Sequence, residues 1–305
     1  MNVLAIGVAF TDIKGFPFGK YIPCGTNKGS VRLTHGGVMR NVAEDMALIG
    51  MKVEYPQLLE EGTFGESVAK RLKDAGVCLD NAVYVKENGI GKWLAVFNEN
   101  GDLAGSISEM PDVSPIERLL EEKGDELFKN CDFAAVEFDT SEFIAEKCMK
   151  LALKYRKDVF VPVGNMSVIL ARKDLMLRTR CIIMNNIEAG RLFGRDLSGL
   201  SPEETLRIVL REGMLGCIRA IIVTLGGKGC VYADFENEAS GYVPAQKCEI
   251  VDTTGAGDAF FSAAACAISK GMSIRRACEL GSRLAALTIA TDQSACPYPG
   301  EDFFG

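Results

Sequence analysis

The chain has one histidine and one tryptophan, and several common signatures are missing from it. There is no C-x-x-C pair among its eleven cysteines, which argues against a zinc site. No strongly basic run occurs, and 34 basic residues against 41 acidic ones give a net charge of −7, so nucleic-acid binding is disfavoured. No apolar run approaches the ~20 residues that a membrane helix needs. The opening MNVLAIGVAF lacks a basic leader followed by an apolar stretch and a cleavage site, so no signal peptide is expected. No G-x-x-x-x-G-K-[ST] occurs: Gly19-Lys20 is followed by Tyr21 and Gly91-Lys92 by Trp93. That excludes a P-loop enzyme. The sequence predicts a cytoplasmic protein, with cysteines that are mostly buried, reduced, small hydrophobes.

What is present is apolar enough to build a substantial core, since 48% of the 305 residues are hydrophobic. Val3–Ala9, Phe133–Phe138, Val159–Val163, Cys181–Met184 and Ala220–Thr224 are near-continuous apolar runs, as in strands covered on both faces. Helical patterns over Val38–Ile49, Phe64–Ala75, Ser141–Tyr155, Pro202–Glu212 and Gly257–Ser269 separate them. Ser201-Pro-Glu-Glu204 is a capping-box start. Alternation of this kind predicts a mostly parallel sheet with helices on both faces. Residues of about 13–34 and about 82–108 break the rhythm. Their short alternating pieces, Gly29–Leu33, Val83–Val85, Trp93–Phe97 and Leu103–Ile107, with Asn-Gly turns at Asn88 and Asn100, predict one small sheet set into the chain as a lid.

The segment Val251-Asp-Thr-Thr-Gly-Ala-Gly-Asp-Ala-Phe260 carries the strongest chemistry. A predicted strand, Cys248–Val251, leads into Gly255, Ala256 and Gly257 at the start of an Ala-rich helix. Free amides and the positive end of the dipole make an anion site there. Asp258 on the first turn reads equally as a helix cap or as the acceptor of a hydroxyl proton. Phosphoryl transfer needs a base and an anion hole side by side.

D-T-T-G-A-G-D-A-F resembles the C-terminal signature of the PfkB carbohydrate kinases, which have the ribokinase-like fold. The resemblance implies Asp258 as catalytic base, Gly255, Ala256 and Gly257 as anion hole, and Asp252 near a monovalent cation such as potassium. Asp12 after the first strand, and Gly36, Gly37 and Asn41 in G-G-V-M-R-N-V-A, resemble the family's sugar-binding residues. Asn185-Asn-Ile-Glu188 resembles its N-x-x-E, which implies magnesium held through water at Glu188; spacing alone leaves simple helix capping open. Thr224-Leu-Gly226-Gly-Lys-Gly229 resembles its nucleotide-side T-x-G-x-x-G. Asp12-Ile-Lys-Gly15, Thr26-Asn27 and Gly36–Glu44 are similar to pseudouridine kinases, which would turn Asn27 toward substrate. Glu60-Glu-Gly-Thr-Phe-Gly65, Glu137-Phe-Asp139 and Val163-Gly-Asn-Met166 depart from the family pattern where the pocket is built.

These readings predict a ribokinase-like three-layer α/β domain over 1–305 with a small β-sheet lid, working as a homodimer through the lid. The expected reaction moves the ATP γ-phosphoryl to a primary hydroxyl with magnesium, pseudouridine being the favoured acceptor. Ribose or another nucleoside is the alternative. A silent sugar- or nucleotide-binding regulator is a reading of another class, against which the intact Asp258 and G-A-G speak. A dinucleotide dehydrogenase is disfavoured because G-x-G-x-x-G is absent. His35 could touch substrate or serve the lid. Trp93 and Phe97, on one strand face, are expected to pack lid against lid rather than stack on a base.

Overall fold

The computed structural model describes residues 1–216, 218–300 and 302–305, so Cys217 lies outside the described residues. β1 (Asn2–Ile6) leads into a hairpin of β2 (Phe10–Pro17) and β3 (Gly29–Gly36), followed by α1 (Val38–Leu48), β4 (Lys52–Glu54), β5 (Leu58–Glu60) and α2 (Thr63–Asp74). The chain continues through β6 (Val83–Val85), β7 (Gly91–Phe97), β8 (Leu103–Glu109), α3 (Ser114–Asn130), β9 (Phe133–Val136), α4 (Glu142–Tyr155) and β10 (Asp158–Val161). Then come α5 (Ser167–Ala171), α6 (Lys173–Met176), β11 (Cys181–Asn185), α7 (Asn186–Phe193), α8 (Pro202–Leu215) and β12 (Ala220–Thr224). β13 (Cys230–Asp234), β14 (Ala239–Val243), α9 (Ala256–Ser269) and α10 (Ile274–Ile289) complete it.

The central sheet has the order β14-β13-β12-β11-β10-β9-β1-β4. Its strands are parallel except for the β12–β13 and β13–β14 pairs. Both faces are buried, and the strands split their side chains between two cores by simple alternation. Val3, Ala5, Phe133, Ala135 and Ile222 join α1, α9 and α10 on one side. Leu4, Ile6, Ala134, Val136 and Ile221 join α3, α4 and α8 on the other. This is the three-layer arrangement that the apolar runs predict.

A separate four-stranded sheet has the order β3-β2-β7-β8. β2 and β7 run parallel within it, and the other pairs are antiparallel. Val83–Val85 is not part of this sheet. It pairs in parallel with Leu58–Glu60, so Asn88-Gly89 joins no hairpin, while Asn100-Gly101 does. Cys248–Val251 forms no strand, and Ile250 and Val251 are exposed. The apolar pattern is present there, but no neighbouring strand edge reaches it. β1 stops at Ile6 rather than Ala9, because its pairing with β9 ends there and that with β4 ends already at Leu4. None of the described cysteines is bonded to another, and Cys24 and Cys248 are exposed rather than buried.

Phe133 on β9 meets Phe160 on β10 edge-on, with ring centroids 5.5 Å apart. Both rings are fully enclosed under α1 and α9. Phe133→Ala should therefore lower unfolding stability by about 3–5 kcal/mol, read as a reduced midpoint in urea with an unchanged slope.

Candidate active site

The candidate residues converge at the carboxyl edge of the parallel strands, where open α/β sheets bind ligands. α9 begins with Gly255 at φ 81° as its N-cap, a left-handed conformation suited to glycine. A Cβ there would lie 2.1 Å from the carbonyl oxygen of Ser294. Close packing thus fixes the glycine turn against the segment after α10. The 14-residue helix that follows leaves its first amides free for an anion.

Asp258 stands in the first turn of α9. Its Oδ2 accepts a 2.6 Å hydrogen bond from Asn41 Nδ2 on α1. Burial pushes its carboxyl up to about 7, while the Asn41 bond and the Arg40 charge pull it down and Glu188 pushes it up. A small cleft of about 70 Å³ joins Asp258 and Gly257 to Asn185, Glu188 and Thr224. The anion turn and the two segments expected on the nucleotide side therefore share one wall.

Asn185 and Glu188 form a capping box at the start of α7. Asn185 Oδ1 accepts from the amides of Ile187 and Glu188 at 2.9 Å each, and Glu188 Oε2 accepts from the Asn185 amide at 2.8 Å. Burial raises the Glu188 carboxyl. Both side chains thus cap the helix and line the cleft at once. Gly226 and Gly229 form the turn after Thr224 but do not contribute to the cleft wall. Asp252 Oδ1 accepts from the Thr254 amide at 2.9 Å, shaping the approach to the glycine turn. Among the described residues, no group of three His, Cys, Asp or Glu side chains is placed to hold a metal ion. A magnesium ion with nucleotide takes most of its ligands from phosphates and water, which one carboxylate such as Glu188 can complement.

On the other side of Asp258, Asp12 on β2 projects beside the start of α1, where a Cβ at Gly36 would lie 2.3 Å from its Oδ1. Gly37 is the N-cap of α1. Burial raises the Asp12 carboxyl against the pull of Lys14 and Arg40. The sequence reading gives Arg40 of G-G-V-M-R-N-V-A only a supporting place at the helix start, yet it is the group that locks these parts together. Arg40 is fully buried and pairs with Glu44 and with Asn41 Oδ1. Its Nη2 also donates to the His35 carbonyl at 2.7 Å and to Ser294 Oγ at 2.6 Å. Arg71 on α2 meets Glu44 at 2.8 Å. Arg40 thereby orients the Asn41 amide so that its NH₂ faces Asp258.

Glu137, just past β9, is the second group whose weight the sequence did not reveal. Its Oε2 accepts from the Val8 amide at 3.3 Å. Burial, with Asp258 nearby, pushes its carboxyl up to about 7. The available signal was position, at a strand end in the departing E-F-D segment. Asp139 of that segment serves structure instead, accepting from the Val168 amide at 2.9 Å.

Two expectations are corrected. Asn27 does not turn toward Asp12. Its side chain closes its own loop, through the Ile22 amide at 2.8 Å and the carbonyls of Ile22 and Gly25 at 3.0 and 3.2 Å. The loop lies beyond Pro17, about 17 Å along β2 from Asp12 at ~3.3 Å per residue. His35 faces away from Asp12, and its Nε2 meets Ser67 Oγ at 2.8 Å, tying β3 to α2.

A carboxylate beside a bare helix N-terminus is the arrangement that phosphoryl transfer needs. The model of the pfkB family carbohydrate kinases matches residues 2–299, and the chain belongs to that family. It is similar to the guanosine-inosine kinase of Exiguobacterium acetylicum, 32% identical over 295 residues and covering 96% of each chain. It is also similar to the pseudouridine kinase of Escherichia coli (strain K12), 24% identical over 97% of this chain and 92% of that one. Its fold matches Arabidopsis thaliana ribokinase complexed with ribose and ATP, at TM-score 0.81 and 22% identity, over 97% of this chain and 94% of that one. The protein is thus a sugar or nucleoside kinase.

Asp258→Asn should lower kcat by roughly 10²–10⁴-fold while the protein stays folded. A base works only when ionised, so wild-type kcat/KM should fall as pH drops below about 7. The raised carboxyl also means that the native state keeps a proton the unfolded chain has released, so this group erodes stability as pH rises from the ordinary carboxylate range to about 7. The Asn variant should accordingly melt higher than wild type at pH 8, with an advantage that shrinks toward pH 4. Equal activity, or a pH-independent melting difference, would assign Asp258 a structural role.

Proposed function

We propose that the protein transfers the γ-phosphoryl group of ATP to the 5′-hydroxyl of a ribonucleoside. The observation that carries this reading is the Asn41–Asp258 hydrogen bond, which sets the base between the glycine turn and the Asp12 side. Asp12 and Asn41 bind the ribose hydroxyls, and Gly36 lets the backbone approach them. Asp258 takes the 5′-hydroxyl proton, and the amides of Gly255, Ala256 and Gly257 stabilise the phosphoryl group in flight. Asn185, Glu188, Thr224, Gly226 and Gly229 form the nucleotide side, with magnesium near Glu188 and a monovalent cation near Asp252. Magnesium neutralises charge on the phosphates when bound.

Guanosine or inosine is the favoured acceptor, supported by the 32% identity to a guanosine-inosine kinase across nearly the whole chain. Pseudouridine is the second reading, supported by D-I-K-G at Asp12–Gly15. We read residues 1–305 as one cytoplasmic kinase domain, with the four-stranded sheet as its lid. The outer face of that sheet carries Leu33, Ile13, Leu94 and Ile107 in one row, and Val31, Gly15, Val96 and Gly105 in the next. Leu33, Leu94, Ile107 and Val31 are 60%, 44%, 68% and 71% exposed. These uncharged rows span the sheet, and a second copy related by a twofold axis would cover them.

Steady-state kinetics with ATP and magnesium on guanosine, inosine, pseudouridine, uridine and ribose test the reading. A nucleoside should exceed ribose in kcat/KM by at least about tenfold. Asp12→Ala should weaken nucleoside binding in calorimetry by roughly tenfold and leave ATP binding unchanged. Preference for ribose would overturn the nucleoside reading, and equal loss of both ligands would overturn the role of Asp12.

A further inference from the structure

We propose that Trp93 is the stacking platform for the nucleobase, so that the inner face of the small sheet selects nucleosides over free sugars. This rests on the nucleoside-kinase reading and names the residue that enforces it.

The strand register carries the argument. Asp12 on β2 is paired with Thr34 on β3 and with Trp93 on β7, and Trp93 is paired with Ser108 on β8. Paired residues share a face, so Thr34, Asp12, Trp93 and Ser108 form one row across the sheet. Trp93 is therefore on the Asp12 face and not on the outer face of Leu33, Leu94 and Ile107, which corrects the expectation that it packs lid against lid. One strand spacing, ~4.8 Å, separates it from Asp12, on the scale of one ribose ring. A ribose held on Asp12 with its 5′-carbon toward Asp258 carries its base on the far side of the ring, toward this row.

The chemistry of the row fits that occupant. Trp93 is half-buried, over fully enclosed Ala95. The Lys14 ammonium stands 5.9 Å from its ring centroid and 3.7 Å from Asp12 Oδ2. Lys14 therefore caps this π face with a polar side chain rather than with core packing, and a base that stacks there takes the place of the ammonium, which keeps Asp12 as its partner. Thr34 Oγ1, in the same row, is buried and has no hydrogen-bond partner among the described residues. It is a donor and acceptor facing the space beside Asp12. Farther along the same face, Phe16 and Phe97 stack at 4.9 Å, with Arg32 over Phe16. Those two rings already have each other as partners, which leaves Trp93 as the aromatic surface next to Asp12.

Trp93 is the only tryptophan, so it reports on its own contacts. The full chain is titrated with inosine, guanosine, pseudouridine and ribose without ATP, and its emission is read after inner-filter correction. Saturable quenching by a nucleoside and none by ribose is expected. Trp93→Ala should lower nucleoside kcat/KM by roughly tenfold or more and reduce the nucleoside-to-ribose ratio by a similar factor. Trp93→Phe should restore most of both. Nucleoside binding without any change in emission, or an equal loss for nucleoside and ribose in Trp93→Ala, overturns the platform. If no hydroxyl compound is phosphorylated by the wild type, the kinase reading fails instead, and the emission titration still decides the stacking.

Discussion

The guanidinium of Arg40 is fully buried, and a cation in that position survives only if every direction around it supplies an oxygen. Glu44 provides the counter-charge, and Asn41, His35, Gly36 and Ser294 supply neutral acceptors. These come from three working parts: the helix that carries Asn41 and Glu44, the end of a strand of the small sheet with His35 and Gly36, and the segment with Ser294 that packs on the glycine turn. Truncating Arg40 would leave Glu44 with Arg71 as its one cation among the described residues and would release Asn41 at the same time. The candidate centre is therefore a set of groups positioned by one buried ion, and its precision comes from the requirement to satisfy that ion rather than from the cleft surface.

The same geometry explains why two carboxyl groups can sit near neutrality so close together. Both are withdrawn from solvent, Asp258 adds to the rise of Glu137, and Glu188 adds to the rise of Asp258. Arg40 is the nearby positive charge that lowers Asp258, whereas Glu137 is restrained chiefly by the Val8 amide. Of the two, Asp258 is the one carried on the helix that opens at the anion turn. Glu137 instead accepts from the Val8 amide, just past β1.

Much of this was legible in sequence because it is local. The glycine turn and Asp258 lie within four residues, and the capping box of Asn185 and Glu188 within another four. The two-faced apolar runs also read directly as buried parallel strands. What sequence could not supply was register and partnership. Cys248–Val251 has strand composition but no neighbour. Val83–Val85 alternates properly but pairs with Leu58–Glu60, a strand too short to announce itself. The face on which Trp93 lies depends on its alignment with Asp12, and a one-residue slip would reverse it. Arg40 and Glu44 looked like ordinary helix residues because the groups that close over them, Ser294 and Arg71, come from distant parts of the chain.

That separation has a consequence for how the protein comes into being. Asn41 and Asp258 are 217 residues apart, and Arg40 and Ser294 are 254 apart. Early-made β1 and α1 can find β4 and then β9 as synthesis proceeds, but α1 also packs on α9, and that surface stays open until the last fifth of the chain arrives. A nascent chain stopped before α9 would thus expose the apolar flank of α1 and leave the Arg40 charge without its full set of acceptors. Non-local pairings of this kind slow folding and lengthen the exposure of unfinished surfaces. The protein is consequently most vulnerable to aggregation and proteolysis late in its own synthesis.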